Sequence, residues 1–134
     1  MNKKIRRSWL FVPMSKPELI AQAARSAADA IVLDLVELVV ATDRDSARKN
    51  VRAALQTARA GGAEIFAQVG PAALHDDLNA CVWPGLSGVV VTRAESSTQI
   101  VEIAALLSRL ESERGLPPGT LIYFDLAAAV ASLV

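Results

Sequence analysis

The chain has 134 residues, 52% of them apolar and 21% charged, with 14 acids balanced by 14 bases. Those proportions exclude a disordered chain, and the balanced charge gives no electrostatic footprint for nucleic acid or an acidic membrane surface. The single cysteine, Cys81, excludes an intrachain disulfide and a cysteine-based zinc site, and points to a reducing cytoplasm.

The basic cluster Lys3, Lys4, Arg6 and Arg7 reads as a solvated tail. The stretch that follows, "SWLFVPMSKPE", is broken too soon by proline and charge to be a signal-peptide core. No apolar run is long enough to span a bilayer. "SWLFVP" (8–13) reads as the first strand. "SKPE" then opens a helix, with Ser15 as cap, Pro17 in the first turn and Glu18 three residues after the cap. "AIVLDL" (30–35) is the second strand. A second capping signal, "TDRD" (42–45), precedes a helix with Ala47, Val51, Ala54, Leu55 and Ala58 on one stripe, stopped at Gly61 and Gly62.

"AEIFAQV" (63–69) is the third strand, and a short helix follows around "LHDDLNACV". "GVVVT" (88–92) is the fourth strand. Residues 97–113 form a helix with Ile100, Ile103, Ala104, Leu107 and Leu110 on one side. "LIYFDL" (121–126) is the fifth strand, and "AAAVASLV" begins another helical turn.

The strands are continuous apolar runs and do not alternate, which is the pattern of a parallel sheet covered by helices. The whole of 1–134 reads as a single domain. Two architectures fit it. One is an open, doubly wound five-stranded sheet. The other is a partial (β/α)8 barrel of about four βα units plus a fifth strand, since a whole barrel runs to about 250 residues. The uncharged final segment favours a barrel cut short. On that reading the inner face, lined by residues such as Val32 and Val90, is expected to face water, and the edge strands to pair with another chain.

In either architecture a ligand site lies beyond the carboxyl ends of the strands. Polar residues gather there: Ser15 and Lys16, Asp34 and Glu37, Gln68 and Gly70, Thr92, Arg93 and Glu95, and Asp125. Such a ring supports metal-assisted chemistry. One or two carboxylates with water and substrate oxygens hold Mg2+, which polarises a carbonyl and stabilises an enolate. Asp34, Glu37, Glu95 and Asp125 are the candidate acids, and Lys16 and Arg93 the candidate anchors for an anionic substrate. The competing reading pairs Asp34 and Glu37 with Lys16 or Arg93 in a buried structural network. His75 reads as a surface helix residue, Cys81 as a small core residue, and Trp9 and Trp83 as packing residues. "ARAGGAE" is a helix stop and not a phosphate-binding loop.

"SWLFVPMSKPELIAQAARSAADAIVLDLVELV" resembles the opening of the HpcH/HpaI aldolase and citrate lyase beta-subunit family: a strand ending in F-V-P-G, an Arg-Pro-Glu helix start, then A-D-A-V-x-L-D-L-E-D. "SARKNVRAAL" and "PGLSGVVVTRAES" continue the likeness, which covers roughly 8 to 130. It implies a (β/α)8 barrel, usually oligomeric. It also implies a Mg2+-dependent lyase that makes or breaks a C–C bond beside a carboxylate or acyl-CoA thioester.

Position by position, the resemblance keeps the strand-2 aspartate as Asp34 and turns the following Glu-Asp pair into Val36–Glu37. It puts Gln68 and Gly70 where the family has a substrate-binding arginine and an asparagine. Arg93 stands for a lysine, Glu95 is kept, and Asp125 falls on a metal-binding glutamate. A second metal-binding aspartate lies beyond residue 134, and Met14 replaces a loop glycine. The expected site is therefore Asp34, Glu37 and Arg93 for catalysis, Lys16, Gln68 and Gly70 for substrate, and Asp125 and Glu95 for Mg2+. The expected partners are a small carboxylate or acyl-CoA substrate, and a second copy or another chain that closes the barrel. With so many changes, a non-catalytic half-barrel that self-associates or binds a partner is the alternative.

Overall fold

Five parallel strands lie side by side in sequence order: β1 (Trp9–Pro13), β2 (Ala30–Asp34), β3 (Glu64–Val69), β4 (Gly88–Val91) and β5 (Ile122–Asp125). The computed structural model describes residues 7–92 and 97–125, and for 97 and 122–125 the backbone alone. Between the strands run α1 (Pro17–Ala24), α2 (Arg44–Lys49), α3 (Val51–Arg59), α4 (Leu74–Cys81) and α5 (Ser97–Glu113). The helical turn expected at 127–134 lies outside the described residues.

Which faces the helices cover decides between the two architectures. Ile31, Leu33, Ile65, Ala67, Val89 and Val91 share one buried cluster with Ile20 of α1, Ala47 of α2, Leu55 of α3, Leu78 of α4 and Ile103 of α5. The intervening strand residues Ala30, Val32, Phe66 and Val90 form a separate cluster that contains no helix residue. Among the described residues the helices lie on one face only, over strands in unbroken order, which describes a sector of a (β/α)8 barrel. A doubly wound sheet reverses its strand order and carries helices on both faces.

The inner face departs from expectation. Val32 and Val90 are 0% and 2% exposed. Phe66 stands beside Val32 in the register, and the Trp9 ring packs on Phe66 with centroids 5.0 Å apart. The exposure falls instead on Trp9 and Phe11 of the edge strand, each 37% exposed.

Local chemistry sets the register and the helix ends. The Asp29 carboxylate accepts the amides of Arg7 and Ser8 at 2.8 and 3.2 Å, and the Ser8 hydroxyl accepts the Asp29 amide at 3.0 Å. This clamp pins β1 against β2. Pro17 opens α1 at a position where its missing N–H costs nothing. Ser15 does not cap it; the cap position is Lys16, with no side-chain bond. "TDRD" provides no side-chain cap either. The single helix expected after "TDRD" is two helices that break at Asn50. The apolar stripe continues across the break, and Ala47, Val51, Ala54, Leu55 and Ala58 are all buried.

Gly61 and Gly62 end α3 as expected. Gly62 has φ +88°, and a Cβ on Gly61 would stand 1.8 Å from the Ala24 carbonyl oxygen, so glycine lets the ends of α1 and α3 touch. At the other end of the sheet, the buried Glu111 carboxylate accepts the Leu121 amide at 2.9 Å and leads the chain into β5. Cys81 is buried, and burial pushes its thiol well above the usual range. His75 is exposed on α4 and lies 2.8 Å from Glu102.

Candidate active site at the carboxyl ends of the strands

β2 ends on Asp34, whose neighbours in the register are Pro13 on β1 and Gln68 on β3. Asp34 is 1% exposed and is held by backbone amides, with no cation partner among the described residues. Its Oδ1 accepts Val36 N–H at 2.7 Å and Glu37 N–H at 3.1 Å, and its Oδ2 accepts Leu38 N–H at 3.0 Å. Burial pushes the carboxyl above its usual range; the three amide bonds oppose that shift, and the nearby Glu37 charge adds to it. The carboxylate thus acts as a pin that folds residues 35–38 into a tight loop and fixes the place of Glu37.

Beyond this loop lies a cleft of about 260 Å³ between the connections that follow β2, β3 and β4. Val36, Glu37, Arg44, Gly70, Asp77 and Thr92 line it. Gly70 leaves the floor open: a Cβ there would come within 3.3 Å of both Val36 methyls. Thr92 is buried beside it, with its hydroxyl 3.5 Å from the Val69 carbonyl oxygen. Arg44 presents an Nε that is buried and has no hydrogen-bond partner, which is costly for a guanidinium nitrogen.

The far wall is an ion network. Asp77, 3% exposed, accepts Arg48 Nε at 2.8 Å, while Arg48 Nη1 reaches Asp45 at 2.7 Å. Burial pushes the Asp77 carboxyl up, against the Arg48 bond and charge, the Gly70 amide and the Arg44 charge.

The expected site residues separate into groups. Glu37 and Gly70 line the cleft. Asp34 and Gln68 lie beneath it in the sheet, and Gln68 is 1% exposed with an unpartnered side-chain oxygen. Lys16 is exposed at the start of α1 and does not line the cleft. Arg93, Glu95 and the Asp125 side chain lie outside the described residues. Arg44, Arg48 and Asp77 form part of the site, and none of them was singled out from the sequence as a site residue. The signal was there: Arg44 and Arg48 sit one helical turn apart, and "HDD" supplies acids on the next helix but one.

Among the described residues no group of three or more His, Cys, Asp or Glu could hold a metal ion. Asp34 has both oxygens committed to amides, so the described residues do not by themselves fit Mg2+.

The model of the HpcH/HpaI aldolase/citrate lyase family matches residues 7–132. The chain belongs to this family. It is 31% identical to the citrate lyase subunit beta of Leuconostoc mesenteroides subsp. cremoris over 89% of its own length and 40% of that protein's. It is 35% identical to a citrate lyase subunit beta-like protein of Deinococcus radiodurans over 92% and 44% of the respective lengths. The chain thus spans less than half of the curated relatives it matches.

Among solved structures, a magnesium/glyoxylate complex of Haloferax volcanii malate synthase superposes with TM-score 0.79 at 16% identity, covering 93% of this chain and 43% of that one. The citrate lyase beta subunit from M. tuberculosis, complexed with oxaloacetate and magnesium, gives 0.58 at 24% identity, over 87% and 55%. At such identities these likenesses speak to the fold, and they agree with the one-faced helical cover.

Proposed function

We propose that the chain is the amino-terminal part of a carbon–carbon lyase of the citrate lyase beta type, acting on a small carboxylate or its acyl-CoA thioester. The observation that carries this reading is the cleft beyond three consecutive parallel strands, where Arg44 offers a guanidinium nitrogen without a partner. A substrate carboxylate accepting from Arg44 would satisfy it, and charge-assisted bonds of this kind are worth roughly 1.5–3 kcal/mol. Oxaloacetate, which accompanies the M. tuberculosis neighbour, is a ligand of that class.

Within this reading Asp34 positions the 35–38 loop and so places Glu37 at the cleft for proton transfer. Gly70 leaves backbone open for the substrate to approach. Gln68, Lys16 and Arg93 are proposed as further substrate or catalytic contacts. Glu95 and Asp125 are the carboxylates the sequence offers to Mg2+, which when bound would polarise the substrate carbonyl. No helix among the described residues is long and apolar enough to cross a membrane; a cytoplasmic location is proposed from the lone cysteine.

The test is cleavage of malyl-CoA or citramalyl-CoA by the purified protein, with and without Mg2+. Release of the shorter acyl-CoA supports the reading, and no turnover under either condition counts against it.

A second reading, a non-catalytic half-barrel that self-associates or binds a partner, is favoured by the exposed rings of Trp9 and Phe11 on the helix-free face. Light scattering separates the two. A dimer without turnover favours this second reading, and a stable monomer argues against self-association.

A further inference from the structure

We propose that the opposite pole of the sheet, remote from the cleft, holds a binding site for a phosphate-type oxyanion built from Arg52 and Arg59 beside Trp83, with the Arg114 charge on the same ring. The site combines one face of α3 with the connection from α4 to β4, and Arg114, at the turn that ends α5, stacks on the same Trp83 ring. Arg52, Leu55, Gln56 and Arg59 follow at helical spacing on α3, and with Trp83 and Pro84 they line a cavity of about 240 Å³.

The parts are fixed in place. Trp83 donates its indole N–H to the Ala80 carbonyl at 2.7 Å, which holds the ring. The guanidinium carbons of Arg52 and Arg114 stand 3.8 and 3.9 Å from the ring centroid. Arg114 is further held by bonds of 2.7 Å to the Val82 carbonyl and to the Asn79 side-chain oxygen. Arg59 lies against Gly85, where φ is +108° and a Cβ would stand 2.7 Å from its Nη1. The positive φ is what favours glycine there, and the absent side chain leaves room for the arginine.

Among the described residues no carboxylate pairs with the two cavity-lining arginines, Arg52 and Arg59. Glu113 is the acid that acts on Arg114, and it already faces Arg109 at 3.7 Å. Burial lowers the basicity of Arg114; the Glu113 charge opposes that shift and the Arg52 charge adds to it.

Two cations share the Trp83 ring and a third, Arg59, lines the cavity beside it, so an anion seated there offsets their mutual repulsion. Planar guanidinium forks match the oxygens of phosphate. A water molecule's share of liquid volume is about 30 Å³. The cavity thus admits a phosphate group with more of a molecule attached, so inorganic phosphate and a phosphate carried on a small metabolite share the same chemistry.

The test follows the Trp83 indole N–H resonance in the purified protein during titration with inorganic phosphate and, separately, adenosine 5′-monophosphate. Ionic strength is held constant with sodium chloride. A saturable shift in either titration, weakened about tenfold or more in Arg59→Gln as expected for loss of one charge-assisted contact, supports the site. Tighter binding of the nucleotide identifies a carried phosphate, and equal binding identifies the free ion. A shift that does not saturate, that chloride reproduces, or that survives unchanged in both Arg59→Gln and Arg52→Gln overturns the proposal. Both arginines are exposed, so the variants are expected to fold, and far-ultraviolet circular dichroism checks this.

Discussion

The Asp34 carboxylate reaches four residues along its own chain to accept the Leu38 amide at 3.0 Å, after taking Val36 and Glu37 on its other oxygen. An acid at the end of a fully buried strand thereby finds its partners in backbone amides. Asp34→Asn keeps one acceptor oxygen but turns an N–H2 toward the Leu38 amide. We expect a loss of roughly 1–3 kcal/mol in urea unfolding. The pH dependence has a definite sign. A carboxyl raised in the folded state contributes stability below its ordinary value of 3.8, and that contribution is lost as the pH rises through the folded value. The stability of the wild type relative to Asp34→Asn is therefore expected to fall as the pH is raised from about 4, and a rise would contradict the assignment.

Arg48 is the partner that makes the buried Asp77 tolerable, at 2.8 Å with side-chain exposures of 18% and 5%. Arg48→Ala leaves that carboxylate uncompensated, which costs about 3–5 kcal/mol when a buried pair is broken. Arg48→Ala with Asp77→Asn is expected to recover part of the loss. Thermal denaturation of the single and double variants measures both effects, and additive losses would contradict the coupling.

Two glycines make opposite predictions. At Gly61 an added Cβ meets the Ala24 backbone oxygen at 1.8 Å, whereas at Gly70 it meets Val36 methyl groups at 3.3 Å. Backbone cannot move aside as a side chain can, so Gly61→Ala is expected to cost about 1–3 kcal/mol or more. Gly70→Ala is expected to leave stability nearly unchanged while narrowing the cleft. Melting temperatures of the two variants decide it.

The sequence disclosed the strands and the 97–113 helix because these are long apolar runs whose burial dominates other terms. It did not disclose the break at Asn50, because the stripe Ala47–Val51–Ala54–Leu55–Ala58 reads straight through it. Ser15 carried a capping signal that the fold does not use; the chain turns at Lys16 instead. Val32 and Val90 were expected to be wet, and the packing of Trp9 on Phe66 in the same face could not be foreseen from period alone. The choice between an open sheet and a barrel sector needed to be seen in space, because it rests on which cluster Ile31 and Val32 each join. Of the site, Glu37 and Gly70 were legible as polar or glycine residues after strands. Arg44 and Asp77 were not, since α2 and α4 meet only through tertiary packing.

The central claim is that the cleft beyond β2, β3 and β4 takes a small carboxylate on Arg44. Calorimetric titration of oxaloacetate into the wild type and Arg44→Gln tests it most directly, because the buried Nε has no structural partner to lose. The account predicts saturable binding to the wild type and affinity about tenfold or more lower in the folded variant, the loss expected for one charge-assisted contact. Equal affinity in both proteins, or no binding to the wild type, would contradict it.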